Sequence, residues 1–247
     1  MSLTPWIEAR REHLGGHEFK ICAVSVPFEG FDHGNEPEDS TRAILRVAVQ
    51  YNEIDHAIVR DKPMRETEAR TLALQWLMRN DVDIVWQVDS DEEYTNTAIF
   101  SLASYVETTG YYAWYRINFL NLVFTEKLAL KDRFTPPRIH RTAWVDLRAG
   151  WFYEDNNIDY KTMDPGRLIK DVQLASVTIP EPYGLIAHHT WLNNERSRKK
   201  VQYQQLRWGP PNGAGCSFAW NEARGGLTWN EEYFKLTGQP LPEIISL

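Results

Sequence analysis

Cysteine is nearly absent: Cys22 and Cys216 are the only two in 247 residues, and they stand far apart. That leaves no disulfide framework and no zinc-finger spacing, and it fits a reducing compartment. Long apolar runs are missing too. No stretch approaches the roughly 20 apolar residues that a membrane-spanning helix needs, so no membrane span is expected. The first 16 residues carry Glu8, Arg10, Arg11, Glu12 and His13 and no apolar centre, unlike a signal peptide. The expected location is therefore cytoplasmic. Basic residues are outnumbered, 27 to 34, for a net charge of −7. That argues against a general nucleic-acid coat, which needs a basic surface. There is no internal repeat and no low-complexity tract.

What is present supports a core. Hydrophobic residues make up 43% and charged residues 25%, as in ordinary globular chains. The length suits one large domain, or one domain with an appendage. Tryptophan is frequent, at 10 residues, and its ring serves cores as well as stacking on sugars and bases. Charge is uneven. Glu29, Asp32, Glu36, Glu38 and Asp39 form one acidic stretch, and Asp81 to Glu93 another. Arg196 to Arg207 is basic.

Hydrophobic periodicity predicts β-α-β-α-β-loop-α over the first 110 residues. Phe19 to Val26 reads as a strand stopped by Pro27. A helix capped by Asp39 or Ser40 runs to about Gln50. Ile54 to Val59 is a short strand. Glu66 to Asn80 is the strongest helix, with Ala69, Leu72, Ala73, Trp76 and Leu77 on one stripe. Asp83 to Val88 is a strand, and Asn96 to Thr108 a helix closed by Gly110. Such alternation predicts a mostly parallel sheet with helices on both faces. The second half is less regular. Tyr111 to Asn118 reads as a strand, Phe119 to Pro137 is ambiguous, and Pro137 to Leu147 looks like paired strands. Val177 to Pro180 and Tyr183 to Thr190 look extended. Asn194 to Trp208 is helical, Trp208 to Gly226 a Gly/Pro-rich loop, and Thr228 to Thr237 a short last helix.

The chemistry concentrates at Asp89-Ser90-Asp91, which ends the apolar run Ile84-Val85-Trp86-Gln87-Val88 and leads into Glu92-Glu93. In extended geometry carboxylates at i and i+2 point to one side. Hard divalent cations take oxygen ligands, and Mg²⁺ or Mn²⁺ commonly bridges one or two carboxylates to a substrate's phosphates. Open α/β sheets bind ligands at the carboxyl ends of their strands. A solvated acidic turn is the plainer reading of the same tripeptide.

Several segments, in order, resemble the GT-A-fold glycosyltransferases, especially glycosyltransferase family 2. An opening strand ends near Pro27. Glu66-Thr67-Glu68-Ala69-Arg70-Thr71-Leu72-Ala73 resembles the family's ARN-x-A helix, with Thr71 where Asn is usual. Ile84 to Glu93 resembles its strand followed by D-x-D-E. Pro137-Arg138-Ile139-His140-Arg141 resembles its P-R-I/L-F-R strand. His188-His189-Thr190-Trp191, followed by a basic helix, resembles its H-x-x-W…K closing segment. The resemblance covers about residues 19 to 208. The common P-x-Y-N-E opening appears only as Pro27-Phe28-Glu29. What it implies is an α/β chain of GT-A type, a Rossmann-like nucleotide-sugar-binding fold with a mostly parallel central sheet. Residues 1–18 would be an extension, 19–110 the nucleotide-binding half, 111–208 the acceptor half, and 209–247 a tail packed on the domain.

The implied reaction moves a sugar from a nucleoside-diphosphate sugar, UDP-linked by default, to a hydroxyl of a glycan, small molecule or modified nucleobase. A nucleic-acid acceptor is not favoured. The implied cofactor is Mn²⁺ or Mg²⁺. Asp91 would be the direct ligand, with Asp89 on the metal or on the ribose hydroxyls and His189 or His188 as a third ligand. Alternation along Leu185 to His189 puts only one of the two histidines in the site. Pro27, Phe28, Glu29, Arg65, Arg70, Ser90, Arg196 and Lys199 would hold the donor, with Arg198 and Lys200 beside them. Arg70 has another reading, an intrahelical pair with Glu66, and the basic helix another, a solvated face. Asp155 or Glu154, after the aromatic run Trp151-Phe152-Tyr153, would be the base; Asp155-Asn156-Asn157 is also strongly turn-forming. Tyr111, Tyr112, Trp114 and Tyr115 read first as core packing and second as an acceptor platform. A nucleotidyltransferase is the alternative enzyme, but Val26-Pro27-Phe28-Glu29-Gly30 lacks its Gly-rich loop. A non-catalytic carbohydrate-binding domain is the other alternative.

Overall fold

A computed structural model of the chain describes residues 4–12, 16, 18–27, 40–110, 112, 114–142, 176–208 and 216–247. The protein is mixed α/β. β1 (Cys22–Ser25) and β2 (His56–Val59) pair in parallel. Between them α2 (Ser40–Gln50) buries Leu45 and Ala48 against Ile54. α3 (Glu66–Arg79) follows, ending at Asn80, and its Leu74 packs on Val85 of β3 (Ile84–Trp86). β4 is the short strand Glu92–Glu93. α4 (Asn96–Thr108) starts where the Thr95 side chain accepts from the Ala98 amide at 3.2 Å. Its Ile99, Leu102 and Val106 face inward at the helical repeat.

The remaining strands are β5 (Trp114–Arg116), β6 (Asn118–Leu130), β7 (Pro137–Arg141), β8 (Ser176–Thr178) and β9 (Leu185–Leu192). α5 (Glu195–Trp208), β10 (Phe218–Asn221), β11 (Gly226–Trp229), α6 (Glu231–Thr237) and β12 (Ile244–Ser246) complete the order. Two four-stranded sheets result, β3-β7-β5-β8 and β12-β6-β9-β4. Tyr115, Ile117, Phe119, Ile139, Ile179 and Ile186 of these sheets and their connections share a core with Ile99 and Leu102 of α4. The approach is close at Gly184, where a Cβ would stand 2.9 Å from the Leu102 side chain.

The sheets correct the expectation of a mostly parallel arrangement. β1–β2, β5–β8 and β6–β9 run parallel, whereas β3–β7, β5–β7, β4–β9, β6–β12 and β10–β11 are antiparallel. Parallel neighbours need long crossovers, usually helical. The second half supplies none between β5 and β7, so β7 returns antiparallel. β3 pairs with β7, not with β1 or β2, among the described residues.

The ends are built in. Residues 1–18, read as an extension, contain the helix α1 (Thr4–Arg11), whose Trp6 and Ala9 belong to the main core. Trp6 meets Trp86 and Tyr94 edge-on at 4.8 and 5.1 Å, and Arg10 grips Asp55 through two bonds of 2.9 and 3.0 Å. At the other end, the region read as a Gly/Pro loop contains β10. The last helix begins only at Glu231, because Asn230 caps it by accepting from the Tyr233 amide. β12 joins the sheet beside β6. Phe218 and Leu227 form a second core with Val123 and Val201. No helix of the described residues is long and apolar enough to cross a membrane.

Candidate functional site

The acidic tripeptide is the hinge between the two sheets. After β3, the Gln87 amide still bonds to the Arg138 carbonyl of β7 at 2.8 Å. The chain then turns, the Glu92 amide bonding to the Asp89 carbonyl at 3.2 Å, and enters β4 against β9. The segment is thus a turn and not the extended strand that the i, i+2 spacing suggests. The two carboxylates therefore meet different partners.

Asp89 faces α3 and β7. Arg70 Nη2 donates to its Oδ1 and Oδ2 at 2.9 and 3.1 Å, and Arg138 Nη2 to Oδ2 at 2.9 Å. Burial opposes its charge, but the two guanidinium groups prevail and its pKa is lowered. Arg138 also donates to Glu92 through Nε at 2.8 Å, and the Tyr94 hydroxyl donates to the same carboxylate at 3.0 Å. The Glu92 side chain is 0% exposed and that of Arg138 6%. Burial pushes the Glu92 carboxyl up to about 7, against the pull of Arg138.

This shift carries a pH signature. A carboxyl raised in the folded state favours folding in acid. Its contribution is complete below its ordinary 4.5 and is lost as the pH rises to about 7. Asp89 and Asp91, both lowered, act in the opposite sense and weaken the fold as acid protonates them below 3.8. Glu92→Gln is expected to flatten the stability change between about pH 4.5 and 7, read by urea unfolding across that range. An unaltered slope would remove Glu92 as its source.

Asp91 faces β9 and α5. The Thr190 hydroxyl lies 2.5 Å from Asp91 Oδ2 and 2.6 Å from His188 Nε2. His188 Nε2 stands 3.6 Å from Asp91 Oδ1, and Lys200 Nζ 3.4 Å from Oδ2. Burial again opposes ionisation, but the His188 ring, the Lys200 ammonium and the Thr190 hydroxyl hold Asp91 well below the usual carboxylate range. Of the two histidines, His188 faces Asp91; His189 on the alternate side reaches Glu93 at 2.9 Å. Arg196 Nη2 donates to the Ser90 hydroxyl at 2.7 Å. The acidic turn is thus covered by α5, with Lys199 adjacent to Lys200 on that helix.

The other residues expected at the site fall as follows. Pro27, at the end of β1, accepts from the Met64 amide at 3.0 Å, which ties that strand end to the approach to α3. Arg65 is exposed just before α3. Arg70 spans from α3 to Asp89. Arg198 turns to Glu222 at 2.8 Å. Trp114 and Tyr115 are buried, as core packing predicts. Phe28, Glu29, Tyr111, Glu154 and Asp155 lie outside the described residues. Sequence reasoning assigns no role to Arg138, Thr190 or Asn121. The available signal is polarity in apolar strands: Arg138 sits in a nearly all-buried β7, and Asn121 interrupts Phe119-Leu120-Asn121-Leu122-Val123-Phe124.

The donor set fits a cation at one place. Among the described residues no group of three or more His, Cys, Asp or Glu converges. Asp91 and His188 nevertheless present a carboxylate oxygen and an imidazole nitrogen to one another, a pairing that suits Mn²⁺ when phosphates and water supply the other ligands. Asp89, with both oxygens held by guanidinium groups, is not open for ligation in this arrangement. No family model, curated protein or solved structure matches the chain.

Proposed function

We propose that the protein is a metal-dependent glycosyltransferase of GT-A type that takes a UDP-linked or related nucleoside-diphosphate sugar and transfers the sugar to a hydroxyl acceptor. One observation carries the reading: Asp91 and His188 meet beside Lys200 and Arg196, so a carboxylate–imidazole pair and two cations gather at the same turn. The β-α-β-α-β order that leads to this turn supports the GT-A assignment within the mixed α/β class.

Breaking the sugar–phosphate bond puts negative charge on the departing diphosphate. Preorganised cations aimed at that charge lower the barrier. Lys200 and Arg196 on α5 would bind phosphate oxygens, and Arg70 with Arg138 would keep Asp89 ionised for donor hydroxyls. A divalent cation held by Asp91 and His188 would supply Lewis-acid stabilisation of the diphosphate. Asp155 and Glu154 stay the candidates for deprotonating the acceptor.

A metal-independent form of the same reaction is favoured by one contact, the Lys200 ammonium already beside Asp91 and 3.3 Å from Thr190 Oγ1. Calorimetric titration of UDP with and without Mn²⁺ separates the readings. Binding that requires Mn²⁺ is expected. Equal binding without metal would select the ammonium form. No binding in either condition would sink the nucleotide-sugar assignment and leave a carbohydrate-binding or other domain.

A further inference from the structure

We propose that Asn121 is a positioning residue for His188: it fixes the imidazole so that Nε2 faces Asp91 and Thr190. This deepens the proposed metal site and rests on it. The two residues are neighbours because β6 and β9 run parallel with Asn121 opposite His188. His188 Nδ1 lies 2.6 Å from Asn121 Oδ1. An amide oxygen only accepts, so a ring proton sits on Nδ1, and the ring held this way turns Nε2 toward Asp91 and Thr190. The rings of Phe119 and Phe134 flank the imidazole at 5.3 and 6.4 Å and limit its rotation.

The choice of an amide has a chemical consequence. A carboxylate at position 121 would stabilise an imidazolium; a neutral amide orients the ring without adding charge. Partners that orient a ligating histidine through its second nitrogen act in this way.

The test uses the full chain labelled with ¹⁵N-histidine and free of metal, with the His188 signals assigned by their loss in His188→Gln. The expected spectrum has a proton on Nδ1. Asn121→Leu is expected to scramble or reverse it, and Asn121→Asp, which keeps an acceptor oxygen, to retain the Nδ1 proton. A wild-type ring protonated on Nε2 alone, or an unchanged signature in a folded Asn121→Leu protein, would overturn the proposal. Affinity for Mn²⁺ alone, read by electron paramagnetic resonance, is expected to fall about 10- to 100-fold in Asn121→Leu and to recover in Asn121→Asp. A wild-type protein that does not bind Mn²⁺ would strike out the metal, while the nitrogen spectra still decide the role of Asn121.

Discussion

Asp91→Asn is expected to reduce Mn²⁺-dependent UDP binding by about 100-fold or more while the protein stays folded. The substitution keeps the side-chain shape and the acceptor oxygen that Thr190 uses, and removes the charge. That charge is what draws the site together, since the His188 ring, Lys200 and Thr190 all converge on it. Folding should survive, because Lys200 is 30% exposed and water can take over its solvation. Transfer activity, once a donor and acceptor are found, should fall at least as far. Calorimetry on the variant gives the affinity, and near-ultraviolet circular dichroism checks the fold. A folded variant with wild-type binding of UDP and Mn²⁺ would remove Asp91 from the site.

Arg138→Met is expected to cost roughly 3–5 kcal/mol of stability, the range for breaking a buried ion pair from one side. Arg138 serves two carboxylates at once, Asp89 at 2.9 Å and Glu92 at 2.6 Å. Among the described residues its removal leaves Glu92 with a hydrogen bond from the Tyr94 hydroxyl, and Asp89 with those from Arg70 and the more distant Gln87 amide. Burial already favours the protonated Glu92, so the penalty should shrink in acid, where a proton replaces the missing cation. The double variant Arg138→Met with Glu92→Gln is expected to recover part of the loss, since the stranded charge is gone. Urea denaturation of the single and double variants provides the cycle. A single variant within about 1 kcal/mol of wild type would show that the pair carries little of the fold's stability.

Much of the first half is legible in the amino-acid order alone. The helix Asn96–Thr108 has the predicted bounds, and Glu66–Arg79 differs only at its capping Asn80. Both combine an apolar stripe with a recognisable end, so local rules suffice. The expected strands are present but shorter, with β1 reduced to Cys22–Ser25 and β3 to Ile84–Trp86. Strand ends depend on which neighbour offers a ladder, and that neighbour lies far along the chain. α1 is hard to read because its eight residues show only Trp6 and Ala9 as an inward pair. β6 is ambiguous because its thirteen residues mix apolar and polar positions without strict alternation, and its pairing with β9 shifts register after Asn121.

The site divides the same way. Asp89 and Asp91 stand out in the sequence because two carboxylates at i and i+2 follow an apolar strand, a pattern that a solvated acidic turn also gives, and the basic run after Trp191 marks the helix that covers them. The residue types and their order along the chain thus determined a mixed α/β protein with its acidic turn after the third strand. Tertiary structure alone decided which carboxylate meets which partner. A turn at Ser90 sends Asp89 toward two arginines and Asp91 toward β9, and strand alternation then selects His188 over His189. These outcomes rest on antiparallel and parallel pairings between segments up to about a hundred residues apart, such as Glu92 with His188. No local pattern encodes such a partner, because each pairing is chosen by the burial of whole sheet faces and not by the residues that happen to touch.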